Sequence, residues 1–137
     1  MSEPTPIQVL ETVLYTDDLE AARGFYGTVL GLELHSEQPG LFLFFRLGRS
    51  MLLLFEPEAA AAAGRDVPAH GTKGPGHVCF SVPGASLDGW TKHFHGHEIA
   101  IEQDHIWPNG ARSLYVRDPA GNSVELADPK LWGFGDG

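Results

Sequence analysis

The chain has 137 residues, 42% of them hydrophobic, with 17 glycines and a formal net charge of -9 at pH 7. That length allows one domain or two small halves with a real core, and the composition excludes a disordered polypeptide. The acidic balance argues against nucleic acid and anionic membranes as partners, since both need basic clusters.

Cys79 is the only cysteine, so no intrachain disulfide forms and nothing points to an oxidising compartment. Residues 1–6 lack a basic segment followed by an apolar one, and no apolar run approaches the length of a bilayer span. The cytoplasm is the expected location.

Gln8 to Thr16 alternates as a strand, with Val9, Glu11, Val13 and Tyr15 on one face. Asp17 is the expected N-cap of the helix that follows, and Glu20 completes a capping box. Leu19, Ala22, Phe25, Tyr26, Val29 and Leu30 form its apolar stripe, and Gly31 is placed to end it. Strands are predicted at Leu32 to Ser36, Leu41 to Leu47 and Met51 to Glu56, with turns at Gln38-Pro39-Gly40 and Gly48-Arg49-Ser50. Ala59 to Ala63 suits a helical turn. Arg65 to Gly76, with two prolines and three glycines, reads as a connector at the middle of the chain.

The pattern then returns. His77 to Val82 alternates, with His77, Cys79 and Ser81 opposite Val78, Phe80 and Val82. Ser86 is a candidate cap for a helix turning Leu87, Trp90 and Phe94 to the core and ending near Gly96. Strands follow at Glu98 to Gln103, Arg112 to Arg117 and Ser123 to Ala127. Between the last two, Asp118-Pro119-Ala120-Gly121-Asn122 is turn chemistry.

Each half is thus one strand, one helix and three strands. Setting Glu11 on His77 places Val13 on Cys79 and Leu14 on Phe80, which supports an internal duplication. The predicted fold is α+β: two βαβββ modules forming a curved mixed sheet with a metal-binding cleft. The first module covers residues 1–60, the connector 61–75 and the second module 76–137, as one domain over 7–128.

Glu125 raises the chemical question, because a carboxylate in a short apolar strand must be solvated, paired or ligated. Glu11, Glu56, His77 and Glu125 all fall in the first or last strand of a half. If those strands line one cleft, three carboxylates and an imidazole converge, and a divalent cation would offset their repulsion.

Four segments resemble the vicinal oxygen chelate superfamily, which includes glyoxalases, bleomycin-resistance proteins and extradiol dioxygenases. They are residues 12–20 (TVLYTDDLE), 25–32 (FYGTVLGL), 76–82 (GHVCFSV) and 112–126 (RSLYVRDPAGNSVEL). The resemblance covers nearly the whole chain and implies paired βαβββ modules, usually in a homodimer. It implies metal ligands at Glu11, Glu56, His77 and Glu125 for an ion such as Zn, Ni, Mn or Fe. Glu11 departs from the His or Gln that members usually carry there, which shifts the metal toward harder ions and counts against the extradiol reading.

The activity implied is a glyoxalase-like lyase or isomerase acting on a small oxygenated substrate, with Glu125 or Glu11 as the base. Trp107, Arg112, Tyr115 and Phe44 are candidate pocket residues. A fosfomycin-resistance-type transferase is the first alternative, with Arg112 and Arg117 as its basic anchors. A non-catalytic, bleomycin-resistance-like binding dimer with a cleft of Phe42, Phe44, Trp107 and Tyr115 is the second. His93, His95 and His97 read as surface residues at a helix end. His70 and His105 fall in predicted loops, and Cys79 reads as a small buried hydrophobe.

Overall fold

The structure, a computed structural model, describes residues 4–135. These form two compact units, one ending at Thr72 and the other beginning at Lys73. Each unit carries one four-stranded mixed sheet, and the strand order within the two sheets is the same.

In the first unit, strands β1 (Glu11–Tyr15), β2 (Glu33–Gln38), β3 (Phe42–Leu47) and β4 (Ser50–Phe55) pair in the order β1-β4-β3-β2. The β1–β4 pair is parallel and the others are antiparallel. Helix α1 (Leu19–Ala22) starts one residue later than the capping pattern predicts. Its N-cap is Asp18, whose side chain accepts from the Ala21 amide at 3.0 Å. The Thr16 hydroxyl accepts from the Asp18 amide at 3.1 Å, and that small turn holds Asp17 outside the helix. After Ala22 the coil widens to a π-helix over Arg23–Val29, with the Leu30 amide donating to the Phe25 carbonyl. Gly31, at φ 76, ends it as the sequence predicts.

Tyr26 and Phe45 are fully buried between this helix and the sheet, with Leu43, Leu52 and Leu54 around them. Each such side chain contributes about 1.5–3 kcal/mol by leaving water. The opposite face of the sheet is also apolar. Leu53, Phe55 and Ala60 of the short helix α2 (Pro57–Ala60) form a second cluster with Val13, Tyr15, Phe42, Phe44 and Met51.

The second unit repeats the scheme with β5 (His77–Ser81), helix α3 (Leu87–Gly96), β6 (Gln103–Ile106), β7 (Arg112–Arg117) and β8 (Ser123–Ala127). The strand order is β5-β8-β7-β6, with β5 parallel to β8. Leu114, Val116, Val124 and Leu126 lie on the apolar side of the sheet, and α3 packs on β7 with Leu87 and Phe94 fully buried. Strand β6 lies later than the predicted Glu98 to Gln103. Glu98 leaves α3 at φ 59, and the Ile99 amide still bonds back to the Phe94 carbonyl, so these residues close the helix. Ser86 does not cap α3 through its side chain; its hydroxyl donates to the Pro83 carbonyl at 2.6 Å. Among the described residues no helix is long and apolar enough to cross a membrane.

Candidate active site

Side chains two apart on a strand share a face, and cross-strand partners extend that face into rows. In the second unit one such row runs Cys79–Glu125–Tyr115–Gln103 across all four strands. The next row holds His77, Ser123 and Arg117, and the row on the other side pairs Ser113 with Ala127. One face of this sheet is therefore polar while the other forms the core under α3.

Glu125 is the hub of that face and only 5% exposed. Its Oε2 accepts from the Ser113 hydroxyl at 2.6 Å, and its Oε1 lies 3.2 Å from His77 Nε2. The Ser113 oxygen in turn accepts from the Trp107 indole N–H at 2.9 Å. Indole can only donate, so the polarity of this chain is fixed: Trp107 donates to Ser113, and Ser113 to Glu125. His77 Nδ1 lies 3.1 Å from the Ser123 carbonyl. The Ser123 hydroxyl lies at the same 3.1 Å from Nδ1; the carbonyl accepts and the hydroxyl can also donate, so this contact suits either tautomer of His77.

Burial, and then the Glu125 charge, raise the Tyr115 hydroxyl above the usual phenol range. Cys79 presents surface to solvent, yet the atoms packed around its sulfur, and after them Glu125, push its thiol up to about 12. At neutral pH it is an uncharged thiol.

The hairpin after β7 ties this arrangement together. Gly121 takes φ 88, as the turn requires. Asp118 accepts from the amides of Ala120 and Asn122, while the Asn122 side chain donates to Asp118 and accepts from the Gly76 amide at 2.7 Å. Gly76 immediately precedes His77, so one buried asparagine fixes the start of β5 against the start of β8.

The corresponding face of the first unit has different chemistry. Glu11 pairs with Met51 as His77 pairs with Ser123, and the next row runs Val13–Leu53–Phe44–Ser36. The position matching Glu125 is thus Leu53, and not Glu56 as the sequence comparison expects. Glu56 lies beyond the end of β4, where its carboxylate accepts from the amides of Glu58 and Ala59 and caps α2. Glu11 is exposed to solvent within its unit. Neither unit by itself gathers three His, Cys, Asp or Glu side chains as a metal site among the described residues.

The pocket candidates divide. Tyr115 lies beside Glu125 on the polar face, and Trp107 reaches it through Ser113. Arg112 does not: its parity places it with Leu114 and Val116 on the helix side, where it bonds Asp88 at 2.7 Å and Asp104 at 2.8 Å. Phe44 stacks on Phe42 within the aromatic cluster of the first unit. His70 bonds the Tyr15 hydroxyl at 2.6 Å in the same unit. His105 belongs to β6 and not to a loop, and its ring meets Trp107.

Residue type alone does not single out Ser113 or Ser123. Counting back by two from Tyr115 and Glu125 was the signal that leads to them. Replacing Ser113 with Ala leaves Glu125 Oε2 without its donor, and the expected result is a roughly 10–100-fold loss of activity. Ser113→Thr, which keeps the hydroxyl, is expected to retain most of it in the same steady-state assay.

His77 and Glu125 also fit a divalent ion. Metal–nitrogen and metal–oxygen bonds of about 2.0–2.2 Å put adjacent ligands roughly 3 Å apart, close to the separation of these two atoms. The Ser123 carbonyl on Nδ1 and Ser113 on Oε2 are the outer partners that such ligands need.

Residues 8–126 match the family model of the Glyoxalase/Bleomycin resistance protein/Dioxygenase superfamily. The chain is similar to the crystal structure of a lactoylglutathione lyase from Agrobacterium tumefaciens, at 48% identity over 96% of this chain and 100% of that one, with a TM-score of 0.92. A glyoxalase/bleomycin resistance protein/dioxygenase from Nocardioides is 27% identical over 93% of this chain and 85% of its own, with a TM-score of 0.71. A glyoxalase/dioxygenase from Nostoc punctiforme shares the fold at 23% identity and a TM-score of 0.66, over 93% of this chain and 98% of that one. No curated protein matches the sequence.

Proposed function

The chain belongs to the glyoxalase/bleomycin resistance protein/dioxygenase superfamily, and from that premise we propose that it is a metal-dependent lyase or isomerase of glyoxalase type. The observation that carries the reading is the approach of His77 Nε2 to Glu125 Oε1 at 3.2 Å. A carboxylate oxygen and an imidazole nitrogen this close need a proton or a cation between them. The 48% identity to a lactoylglutathione lyase supports the choice of reaction class.

His77 and Glu125 would hold the ion, which when bound supplies Lewis-acid stabilisation of negative charge developing on a substrate oxygen. The resemblance also nominates Glu11 and Glu56; the helix cap that Glu56 forms makes it the weaker of the two. Glu125 Oε1 would leave the ion as substrate binds and then take a proton from a carbon next to a carbonyl and return it, because Ser113 occupies Oε2. Tyr115, a neutral phenol at physiological pH, donates to the substrate oxygen. Trp107 and Ser113 hold the carboxylate in a single orientation, which shortens the search for the reactive geometry.

The transferase alternative loses support, because both of its basic anchors are engaged. Arg112 is held by Asp88 and Asp104, and Arg117 by Glu102. The half-buried Phe42–Phe44 stack keeps the binding-protein alternative in view. Assays of lactoylglutathione formation, before and after exhaustive chelation and after return of Zn, Ni, Mn or Fe, separate the two. Turnover that vanishes on chelation and returns with one of these ions is expected; turnover untouched by chelation would overturn the metal assignment.

A further inference from the structure

The sheet of the second unit has α3 on the side away from Glu125, and the last turn of α3 holds His93 and His95, with His97 as its C-cap. His93 and His97 are four residues apart, so they project from the same face of the helix, whereas His95 projects elsewhere. Both are exposed, and their ring centres lie 4.7 Å apart with the planes inclined at 65°. The His97 amide still donates to the His93 carbonyl, which keeps the pair in helical register.

A metal ion about 2.0–2.1 Å from an imidazole nitrogen lies roughly 3.2 Å from that ring's centre. Two rings bound side by side to one ion then have centres about 4.5 Å apart at a right-angled ligand arrangement and about 5.2 Å apart at a tetrahedral one. The observed separation falls between these limits. The pair also sits at the C-terminal end of α3, where the helix dipole is negative and favourable to cations. The chain's net charge of -9 adds to that attraction.

We propose that His93 and His97 form a second transition-metal site, in which two imidazoles hold a borderline divalent ion and water completes its coordination. The ligand class is Cu2+, Ni2+ or Zn2+, with Cu2+ the tightest by the general affinity order of divalent ions. This site is independent of the lyase reading, since neither Glu125 nor His77 takes part.

Trp90 provides a built-in reporter: its ring meets that of His93 edge-on at 5.4 Å. In the full chain carrying His77→Ala, which removes the other candidate ligand pair, Cu2+ titration is expected to quench tryptophan emission saturably at one ion per chain. His93→Ala and His97→Ala are each expected to weaken binding by about tenfold or more, while His95→Ala leaves it within about twofold, because only the first two remove one of the paired donors. All three positions are exposed, and matching circular dichroism spectra establish that the variants remain folded. Absence of saturable quenching, or equal affinities for the His93, His95 and His97 variants, would overturn the site.

Discussion

Glu125→Ala is expected to lower kcat/KM by roughly a thousandfold, the size of effect that follows loss of a positioned base. If the proposed metal centre is correct, the wild-type chain is expected to retain a divalent ion through gel filtration and the same variant to lose it. Glu125→Gln makes the comparison sharper. Its amide oxygen can still accept from Ser113, so the packing of the polar face survives, yet it cannot take up a proton from substrate. A Gln variant as inactive as Ala, with wild-type thermal stability, is the expected pattern. A Gln variant within about fivefold of wild-type activity would remove Glu125 from the proton-transfer role.

The second large effect concerns stability. Asn122 is 2% exposed and Asp118 is 5% exposed, and Asn122 connects the β7–β8 hairpin to the residue before His77. Asn122→Ala strands the Gly76 amide and removes one donor from a buried carboxylate. Each orphaned group costs about 1–3 kcal/mol, so a loss of roughly 3 kcal/mol is expected, or a fall in Tm of roughly 10 °C. Thermal unfolding followed by circular dichroism measures it. A Tm unchanged to within about 2 °C would mean that the turn is not what fixes β5 against β8.

Much of this was legible in the chain itself. Strict alternation over residues 112–117 and 123–127 marked β7 and β8 without error, because a strand with one apolar and one polar face writes a period of two into its sequence. The same arithmetic put His77 and Cys79 on one face of β5 and Glu125 on the face of β8 opposite Val124 and Leu126; the register of the sheet brings those faces together with Tyr115. Four features were less legible. The N-cap moved from Asp17 to Asp18 because Thr16 made its own local turn, a competition that side-chain types alone do not resolve. Strand β6 was displaced because Glu98 adopts a left-handed conformation usually reserved for glycine.

Glu56 was matched to Glu125 as the carboxylate near the end of a last strand, whereas register is set by hydrogen bonding between strands. Pairing Glu11 with Met51 puts Leu53 at that place and leaves Glu56 to cap a helix. The two sheets share one scaffold, but Leu53, Phe44 and Val13 of the first stand where the second has its carboxylate, phenol and thiol. Arg112, a pocket candidate in the sequence, stands three positions from Tyr115 on β7, and that odd number puts it on the opposite face.

The most direct test of the account is an anomalous difference map from crystals of the full chain grown with Ni2+. A peak about 2.0–2.2 Å from both His77 Nε2 and Glu125 Oε1 is the result expected. Peaks confined to His93 and His97, with Glu125 still hydrogen-bonded directly to His77, would contradict the assignment of that pair as a metal centre.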